Sequence, residues 1–345
     1  MRVLFCAWMI LMLFAPSGIA EKQIRLTFAG DVTLGSEEYL REEDYSLVSF
    51  AGREGNEYFF ENVRELFSMD DLTVVNLEGV LSDSNVGENK EKTYRFRGEP
   101  EYTEILTYGS IEMVNLANNH TFDYGEHGYL ETQVALAQSG IRFFGGRETT
   151  IFEKYGIRIA FLGLSYTEET RVEKEWIKEE IRRLKREENV NAVVFSYHGG
   201  REYSEARTQK QVDIAELAVD AGADLVIMHH PHVVQGMSVL DNRSVCYSLG
   251  NFCFGGNKNV RAMESLVVAA TLHFSDDGEY LGQQVDLYPA HISGTEPRSN
   301  YQPLLVTGQE AKRVMRLVQA DTRFKLNEFD EEKGFARQEY LPAEK

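Results

Sequence analysis

The chain has 345 residues, of which 43% are hydrophobic, and its formal net charge is −19. This apolar content excludes global disorder and is enough for one large α/β domain or two small ones. The negative charge argues against a nucleic-acid-binding protein, because a phosphate backbone requires a basic face. It would also repel a polyanion at long range unless a local cationic site or a metal ion offsets the field.

Residues 1–20 differ in composition from the rest of the chain. Arg2 is their only charged side chain, residues 3–14 form a short apolar run, and residues 18–20 (GIA) place small side chains where a signal peptidase reads them. A membrane-spanning helix needs about 20 apolar residues, so this run is short for one. We therefore predict a cleaved secretory signal and an exported protein, extracellular or associated with the cell envelope. An uncleaved membrane anchor is the alternative.

From Gln23 onward, β-branched apolar runs alternate with amphipathic charged stretches, a pattern typical of α/β proteins. Residues 21–300 are predicted to form the main domain, and residues 301–345 a C-terminal helix with an acidic tail. Helices are predicted over 126–139, 172–186, 208–221 and 308–320. Strands are predicted over 24–29, 72–77, 111–116, 141–144, 157–164, 192–197 and 224–228, with hairpins over 236–249 and 266–288.

Several side chains that bind metal ions well follow these predicted apolar strands. One histidine or aspartate in such a position is more often structural than functional. A set of carboxylates and imidazoles at one sheet edge is different, because burying it without a cation would be costly. Imidazole combined with carboxylate and amide oxygens suits Mn, Zn or Fe, so we predict one or two divalent transition-metal ions. The candidate ligands are Asp31, Glu78, Asn119, His198, His230 and His232.

The motifs around these residues resemble those of the CapA family of poly-γ-glutamate capsule biosynthesis proteins. That family is similar in fold to calcineurin-like metallophosphoesterases. The resemblance implies a four-layer sandwich in which two mixed β-sheets are flanked by helices. The matching segments are 29–35 (AGDVTLG), 76–78 (NLE), 96–97 (FR), 115–120 (NLANNH), 123–125 (DYG), 198–203 (HGGREY), 229–236 (HHPHVVQG) and 247–252 (YSLGNF).

The resemblance also implies individual roles for the candidate ligands. Asp31 would bind a first metal, Glu78 would occupy the bridging carboxylate position, and Asn119 would bind a second metal through its amide oxygen. The three histidines at positions 198, 230 and 232 would complete the ligand set. Related enzymes begin with Asp-x-His, whereas this chain has Asp31-Val-Thr33, so one imidazole ligand is missing. The centre is therefore expected to hold one tightly bound ion or two ions with lower affinity.

Two further residues are catalytic candidates by the same resemblance. His120 would stand near the scissile bond as a general acid or as a cation facing developing negative charge. Asp123 would orient His120 through a hydrogen bond. Related enzymes usually place an acid directly after this histidine, whereas this chain has Thr121.

Two arginines are predicted to bind an anionic substrate. Arg97 lies in a locally basic stretch, and a guanidinium binds carboxylate or phosphate through two parallel hydrogen bonds. The alternative for Arg97 is a solvated loop position paired to neighbouring glutamates. Arg201 follows His198 and is expected to line the same cleft, together with Glu202 and Tyr203.

Three functions remain open from the sequence. The first, implied by the resemblance, is an envelope protein of poly-γ-glutamate synthesis, export or anchoring. Its partners would be polyglutamate or another anionic envelope substrate, together with membrane subunits of a polymer synthase. The second is a secreted metal-dependent phosphoesterase or amidase unconnected to a capsule. The third is a non-catalytic binding partner that retains a metal site.

Overall fold

The computed structural model describes residues 21–256 and 259–343. The predicted signal segment, residues 1–20, lies outside these ranges. In the described part of the chain, no helix has both the length and the apolar character needed to cross a membrane. The fold is mixed α/β, with two large mixed sheets and seven α-helices in the described ranges.

Eighteen strands and seven α-helices follow one another along the described chain. The helices are α1 (Leu47–Glu54), α2 (Arg64–Ser68), α3 (Thr103–Tyr108), α4 (Gly125–Gln138), α5 (Arg171–Arg186), α6 (Gln209–Ala221) and α7 (Gly308–Ala320). The strands are β1 (Glu21–Thr33), β2 (Leu72–Leu77), β3 (Val80–Leu81), β4 (Arg97–Gly98), β5 (Met113–Asn115), β6 (Arg142–Phe144), β7 (Thr150–Lys154), β8 (Ile157–Ser165), β9 (Ala192–His198), β10 (Leu225–His229), β11 (Met237–Leu240), β12 (Arg243–Cys246), β13 (Asn251–Phe254), β14 (Glu264–Ser275), β15 (Tyr280–His291), β16 (Leu304–Leu305), β17 (Ala336–Arg337) and β18 (Leu341–Pro342).

The first sheet has the strand order β16-β15-β14-β1-β2-β5-β6. β1, β2, β5 and β6 run parallel to one another, whereas β14 to β16 are antiparallel additions. β13 pairs in parallel with the end of β1, where Asp31 lies opposite Asn251. β17 and β18, from the predicted acidic tail, pair with β15.

The second sheet has the order β11-β12-β10-β9-β8-β7. Its four central strands are parallel, and the edge strands β7 and β11 are antiparallel. Every residue of β9 and β10 is buried, which explains their continuous apolar sequences. α6 follows β9, starts at a capping box between Thr208 and Gln211 and ends at Gly222, whose φ of 115° suits a glycine.

Buried apolar side chains form three clusters. One contains residues of both sheets, such as Phe28 and Phe161, together with residues of α7. A second joins the first sheet to α1–α4, and a third joins the second sheet to α5 and α6. Each sheet therefore shares one apolar cluster with the other sheet and a separate one with its own helices.

Candidate metal centre

The predicted ligands lie at the carboxyl ends of parallel strands. Asp31 and His198 lie at or near the ends of β1 and β9, and Glu78 directly follows β2. Asn119 comes from the loop after β5, and His230 and His232 from the loop after β10. Short contacts between side chains from both sheets, described below, bring this set together. The topology thus places the six side chains at one end of the fold.

Asp31 is fully buried and accepts contacts on both carboxylate oxygens. Asn76 Nδ2 donates to Oδ1 at 2.8 Å, and His229 Nδ1 lies 3.4 Å from the same oxygen. Oδ2 lies 3.3 Å from His232 Nδ1 and accepts the His230 backbone N–H at 3.4 Å. Burial alone would raise the pKa of Asp31, but contacts with His229 and His232 hold it well below its usual range. The Asp31 carboxylate is therefore ionised.

Glu78 is fully buried, and neither carboxylate oxygen has a hydrogen-bond partner among the described residues. Its Oε1 lies 3.6 Å from His120 Nε2 and 3.8 Å from His198 Nε2. Burial, followed by repulsion from Asp31, raises the pKa of Glu78 well above its usual range. A carboxylate left in this state is costly unless a cation compensates it. Ligand atoms of Asp31, Glu78 and His198 lie within 4.8 Å of one another.

His198 and Asn119 converge beside that carboxylate. His198 Nε2 and Asn119 Oδ1 are 2.7 Å apart, and Asn76 Nδ2 donates to His198 Nδ1 at 3.2 Å. Burial, and then the neighbouring His230, keep the pKa of His198 well below its usual range, so its imidazole is neutral. A neutral imidazole is the metal-binding form of histidine.

A second group joins Glu202, His230 and His232, whose ligand atoms also lie within 4.8 Å of one another. Burial, reinforced by His232, lowers the pKa of His230 to about 4, and its Nδ1 has no hydrogen-bond partner in the described ranges. Burial would lower the pKa of His232 as well, but Glu78 and Asp31 raise it to about 9. His232 Nδ1 and Asn251 Oδ1 are 2.8 Å apart.

These two groups fit the predicted cofactor in donor chemistry. Carboxylates, imidazoles and the Asn119 amide oxygen are the mixture that divalent transition metals accept. The buried Glu78 oxygens and His230 Nδ1 lack hydrogen-bond partners in the described structure, as expected for atoms reserved for an ion. The Thr33 hydroxyl is buried at the same strand end and also lacks a hydrogen-bond partner among the described residues.

His120 is held next to this centre by Asp123. Its Nδ1 is 2.7 Å from Asp123 Oδ2, which also accepts the Phe96 backbone N–H at 2.8 Å. Lys92 pairs with the other Asp123 oxygen, and the Phe96 ring centre lies 4.4 Å from that of His120. Burial lowers the pKa of His120, although Asp123 opposes the shift. Asp123 thus fixes the imidazole so that Nε2 faces Glu78.

The two predicted substrate-binding arginines have different environments. Arg97 is only 6% exposed, and its guanidinium donates to Ser82 O at 2.9 Å and to Glu38 Oε2 at 3.0 Å. Arg201 is exposed and precedes the candidate ligand Glu202. Protein groups therefore occupy two nitrogens of Arg97, which is neither solvated nor paired to a sequence neighbour. Its predicted role in substrate binding stays a prediction, as does that of Arg201.

Four residues at the centre were not among the predicted ligands. Asn76 and His229 contact Asp31, Asn251 contacts His232, and Glu202 belongs to the second group. All four belong to the family-like motifs of the sequence, and those motifs are the signal that could have identified them. Their side-chain directions could not be read from spacing, because three come from loops or strand ends.

A mixed α/β fold with buried carboxylates and imidazoles at its strand ends defines a metallophosphoesterase-like class of protein. Residues 25–256 match the family described as bacterial capsule synthesis protein PGA_cap, and the chain belongs to this family. It is 26% identical over 324 residues to the capsule biosynthesis protein CapA of Bacillus anthracis, covering 87% of this chain and 74% of that protein. It is 24% identical over 284 residues to the PGA biosynthesis protein CapA of Bacillus subtilis strain 168, covering 76% and 72%.

Proposed function

We propose that this protein is a metal-dependent hydrolase that acts in the biosynthesis of a poly-γ-glutamate capsule. The observation that carries the hydrolase proposal is Glu78, a buried carboxylate without a described hydrogen-bond donor that faces His120 and His198. The similarity to the two Bacillus CapA proteins of capsule and PGA biosynthesis supports the capsule role. The substrate is then the γ-glutamyl polymer or another anionic envelope molecule.

Two sets of side chains would hold divalent ions. Asp31, Glu78 and His198 with Asn119 form one set, and Glu202, His230 and His232 form the other. Bound there, such an ion supplies a water of lowered pKa and polarises the bond under attack. The surrounding side chains fix the ligands, since Asn76 bonds both Asp31 and His198.

His120 would act on the leaving group. Asp123 accepts a hydrogen bond from its Nδ1–H, which leaves Nε2 directed toward the centre. In its protonated form, the imidazolium would donate its Nε2 proton to the departing nitrogen or oxygen. Asp123 also stabilises the imidazolium before the transfer, because its charge lies 2.7 Å from the ring.

The proposal extends to the fold type, the location and the partners of the protein. We infer a four-layer sandwich of the calcineurin-like type, and the three separate apolar clusters support it. Export through the signal-like residues 1–20 would bring the centre to the cell envelope, where the polymer lies. Membrane subunits of a polymer synthase are the proposed partners there.

Metal content and hydrolysis of a γ-glutamyl oligomer by the protein spanning residues 21–345 test the proposal together. Plasma mass spectrometry of the purified protein should find near-stoichiometric Mn, Zn or Fe. A variant carrying His230→Ala and His232→Ala should lose metal and hydrolysis, whereas His127→Ala, a half-exposed position on α4, should lose neither. Absence of metal after incubation with Mn and Zn would exclude the mechanism. Metal without hydrolysis of the oligomer would exclude this substrate and leave a phosphoesterase or a binding partner.

A further inference from the structure

A cavity of about 680 Å³ is lined by residues outside the candidate ligand groups. It is enclosed by the segment leading into β14, the end of β15, the loop 293–296 and α7. Met263, Leu304 and Val306 give it an apolar wall. Ionisable side chains line much of the remaining surface, so the cavity suits a small charged molecule with an apolar part.

Several ionisable side chains in this cavity contact one another. Arg313 Nη2 lies 2.7 Å from Glu264 Oε1, and His291 Nε2 lies 3.6 Å from Glu310 Oε2. These pairs connect α7 to the ends of β14 and β15 and are explained by the packing of the helix. Arg313 and Glu264 form an ion pair, whereas burial lowers the pKa of His291, so its neutral imidazole does not compensate Glu310.

Arg261 and Glu296 lack ionic contacts of this kind. Both line the cavity and are exposed, and neither side chain has an ion pair or a hydrogen bond within residues 21–256 and 259–343. Their segments are neighbours, because the Val260 N–H donates to Pro297 O at 2.9 Å. Among the described residues, Arg261 and Glu296 therefore place one uncompensated charge of each sign on adjacent stretches of backbone.

Arg261 also links the cavity to the metal centre. Its Cζ lies 5.1 Å from the centre of the Tyr203 ring. That ring is in turn 6.0 Å from the ring of His232. Tyr203 directly follows the candidate ligand Glu202. A molecule held by Arg261 would consequently reach past Tyr203 toward the ligands.

We propose that this cavity binds the free amino end of a γ-glutamyl chain, where one carbon carries both an ammonium and a carboxylate group. Arg261 takes the carboxylate, Glu296 takes the ammonium, and the apolar wall contacts the methylene groups. The orientation rests on the proposed function, because the chain then runs past Tyr203 to the candidate metal centre. Binding in the cavity itself requires no metal.

Isothermal titration of the metal-free protein, residues 21–345, with γ-glutamylglutamate tests this site separately from hydrolysis. We expect saturable binding that weakens about tenfold or more in Arg261→Gln and in Glu296→Gln, since each loses one charged hydrogen bond. Arg316→Gln, an exposed change elsewhere on α7, should bind as the parent protein does. Melting temperatures equal to the parent's would show that the variants are folded.

Two further ligands identify the recognised group. The N-acetylated dipeptide lacks the ammonium and should bind about tenfold more weakly than the parent dipeptide. O-Phosphoethanolamine, which represents a lipid headgroup, should also bind more weakly. Equal affinity of the acetylated dipeptide, tighter binding of phosphoethanolamine, or no effect of either variant would overturn the assignment. If the parent protein binds the dipeptide but hydrolyses no oligomer, the cavity proposal stands and the proposed hydrolase function fails.

Discussion

Glu78 and His120 face each other with Oε1 and Nε2 3.6 Å apart, and their surroundings differ sharply. His120 is anchored from behind by Asp123, whereas Glu78 has no hydrogen-bond donor among the described residues. Among the described residues, protein groups thus satisfy His120 but leave the Glu78 oxygens without a hydrogen-bond donor. Because the two side chains depend on different neighbours, mutations of Glu78 and of Asp123 should test the proposed metal binding and the proposed catalysis separately.

Glu78→Gln should change stability in opposite directions with and without metal. Burial raises the pKa of Glu78 well above its usual range. The metal-free unfolding free energy therefore falls as pH rises from the pKa of Glu78 in the unfolded chain through its pKa in the folded protein. The neutral amide should therefore raise the metal-free unfolding free energy at pH 8 by about 1–3 kcal/mol. With Mn or Zn present, the variant should instead be less stable than the parent, because it has lost a ligand.

Urea titrations in the presence of a chelator and in the presence of metal ions measure the change in unfolding free energy under each condition. Glu179→Gln, an exposed change on α5, controls for the loss of one charge from an acidic protein. A variant that is destabilised equally in both conditions would show that Glu78 has a structural role and not a ligand role.

His232 should make metal-free stability depend on pH in the alkaline range. Its pKa is raised to about 9, since the neighbouring Glu78 and Asp31 outweigh the effect of burial. The stabilisation is complete below the unfolded pKa of about 6.5 and is lost as pH rises through about 9. His232→Asn should therefore cost about 3 kcal/mol at pH 6.5 and clearly less at pH 10.

Denaturant unfolding of chelator-treated protein at both pH values gives this difference. His127→Asn provides the control, because His127 pairs with Glu131 on the surface of α4 at 3.4 Å. A cost for His232→Asn that is the same at pH 6.5 and pH 10 would contradict the raised pKa.

The sequence predicted the strands and helices nearest the centre well. The helix predicted over 308–320 matches α7, and those over 126–139 and 172–186 match α4 and α5 within one residue at each end. Strands such as β9 and β10 are buried on both faces and therefore appear as continuous apolar runs. The candidate ligands therefore come together in the structure, because side chains after parallel strands meet at one edge, but their role as ligands stays a prediction.

Other helices and strands are too short to show a recognisable hydrophobic pattern in the sequence. α2 and α3 have five and six residues, too few to show a helical period, and β3 and β4 have two residues each. Arg97 looked like an exposed cation in a basic stretch, but its position in β4 buries it against Ser82 and Glu38. Pairing of that kind depends on tertiary contacts and cannot be read from local composition.

Gly30→Ala should displace Asp31 and reduce metal binding. A Cβ at Gly30 would lie 2.1 Å from the backbone oxygen of Gly250, which accepts the Asp31 N–H at 2.9 Å. The Gly250 oxygen belongs to the backbone and cannot rotate away from the added Cβ. The strands β1 and β13 must therefore move apart. We expect a loss of about 3 kcal/mol of unfolding free energy and weaker metal binding.

Gly52→Ala is the matched control for that change. A Cβ at Gly52 in α1 would have no neighbour within 4 Å, so alanine should stabilise the helix by about 0.5–1 kcal/mol. Thermal unfolding and metal titration of the two variants give the comparison. Unchanged metal affinity in Gly30→Ala would mean that Asp31 does not depend on the contact between β1 and β13.

Asp123→Asn should reduce catalysis without removing metal. Asp123 contacts His120 Nδ1 and the Phe96 N–H but belongs to neither candidate ligand group. An amide that presents its NH₂ to Nδ1 stabilises the wrong tautomer and no longer supports the imidazolium, so kcat for the γ-glutamyl oligomer should fall about 10²–10⁴-fold. Metal content should match the parent's, and the pH dependence of kcat should change because the general acid is altered.

Asp220→Asn, exposed on α6, is the control and should keep both kcat and metal content. Loss of metal in Asp123→Asn would instead show that Asp123 supports the ligands, and an unchanged kcat would remove His120 from the proposed mechanism.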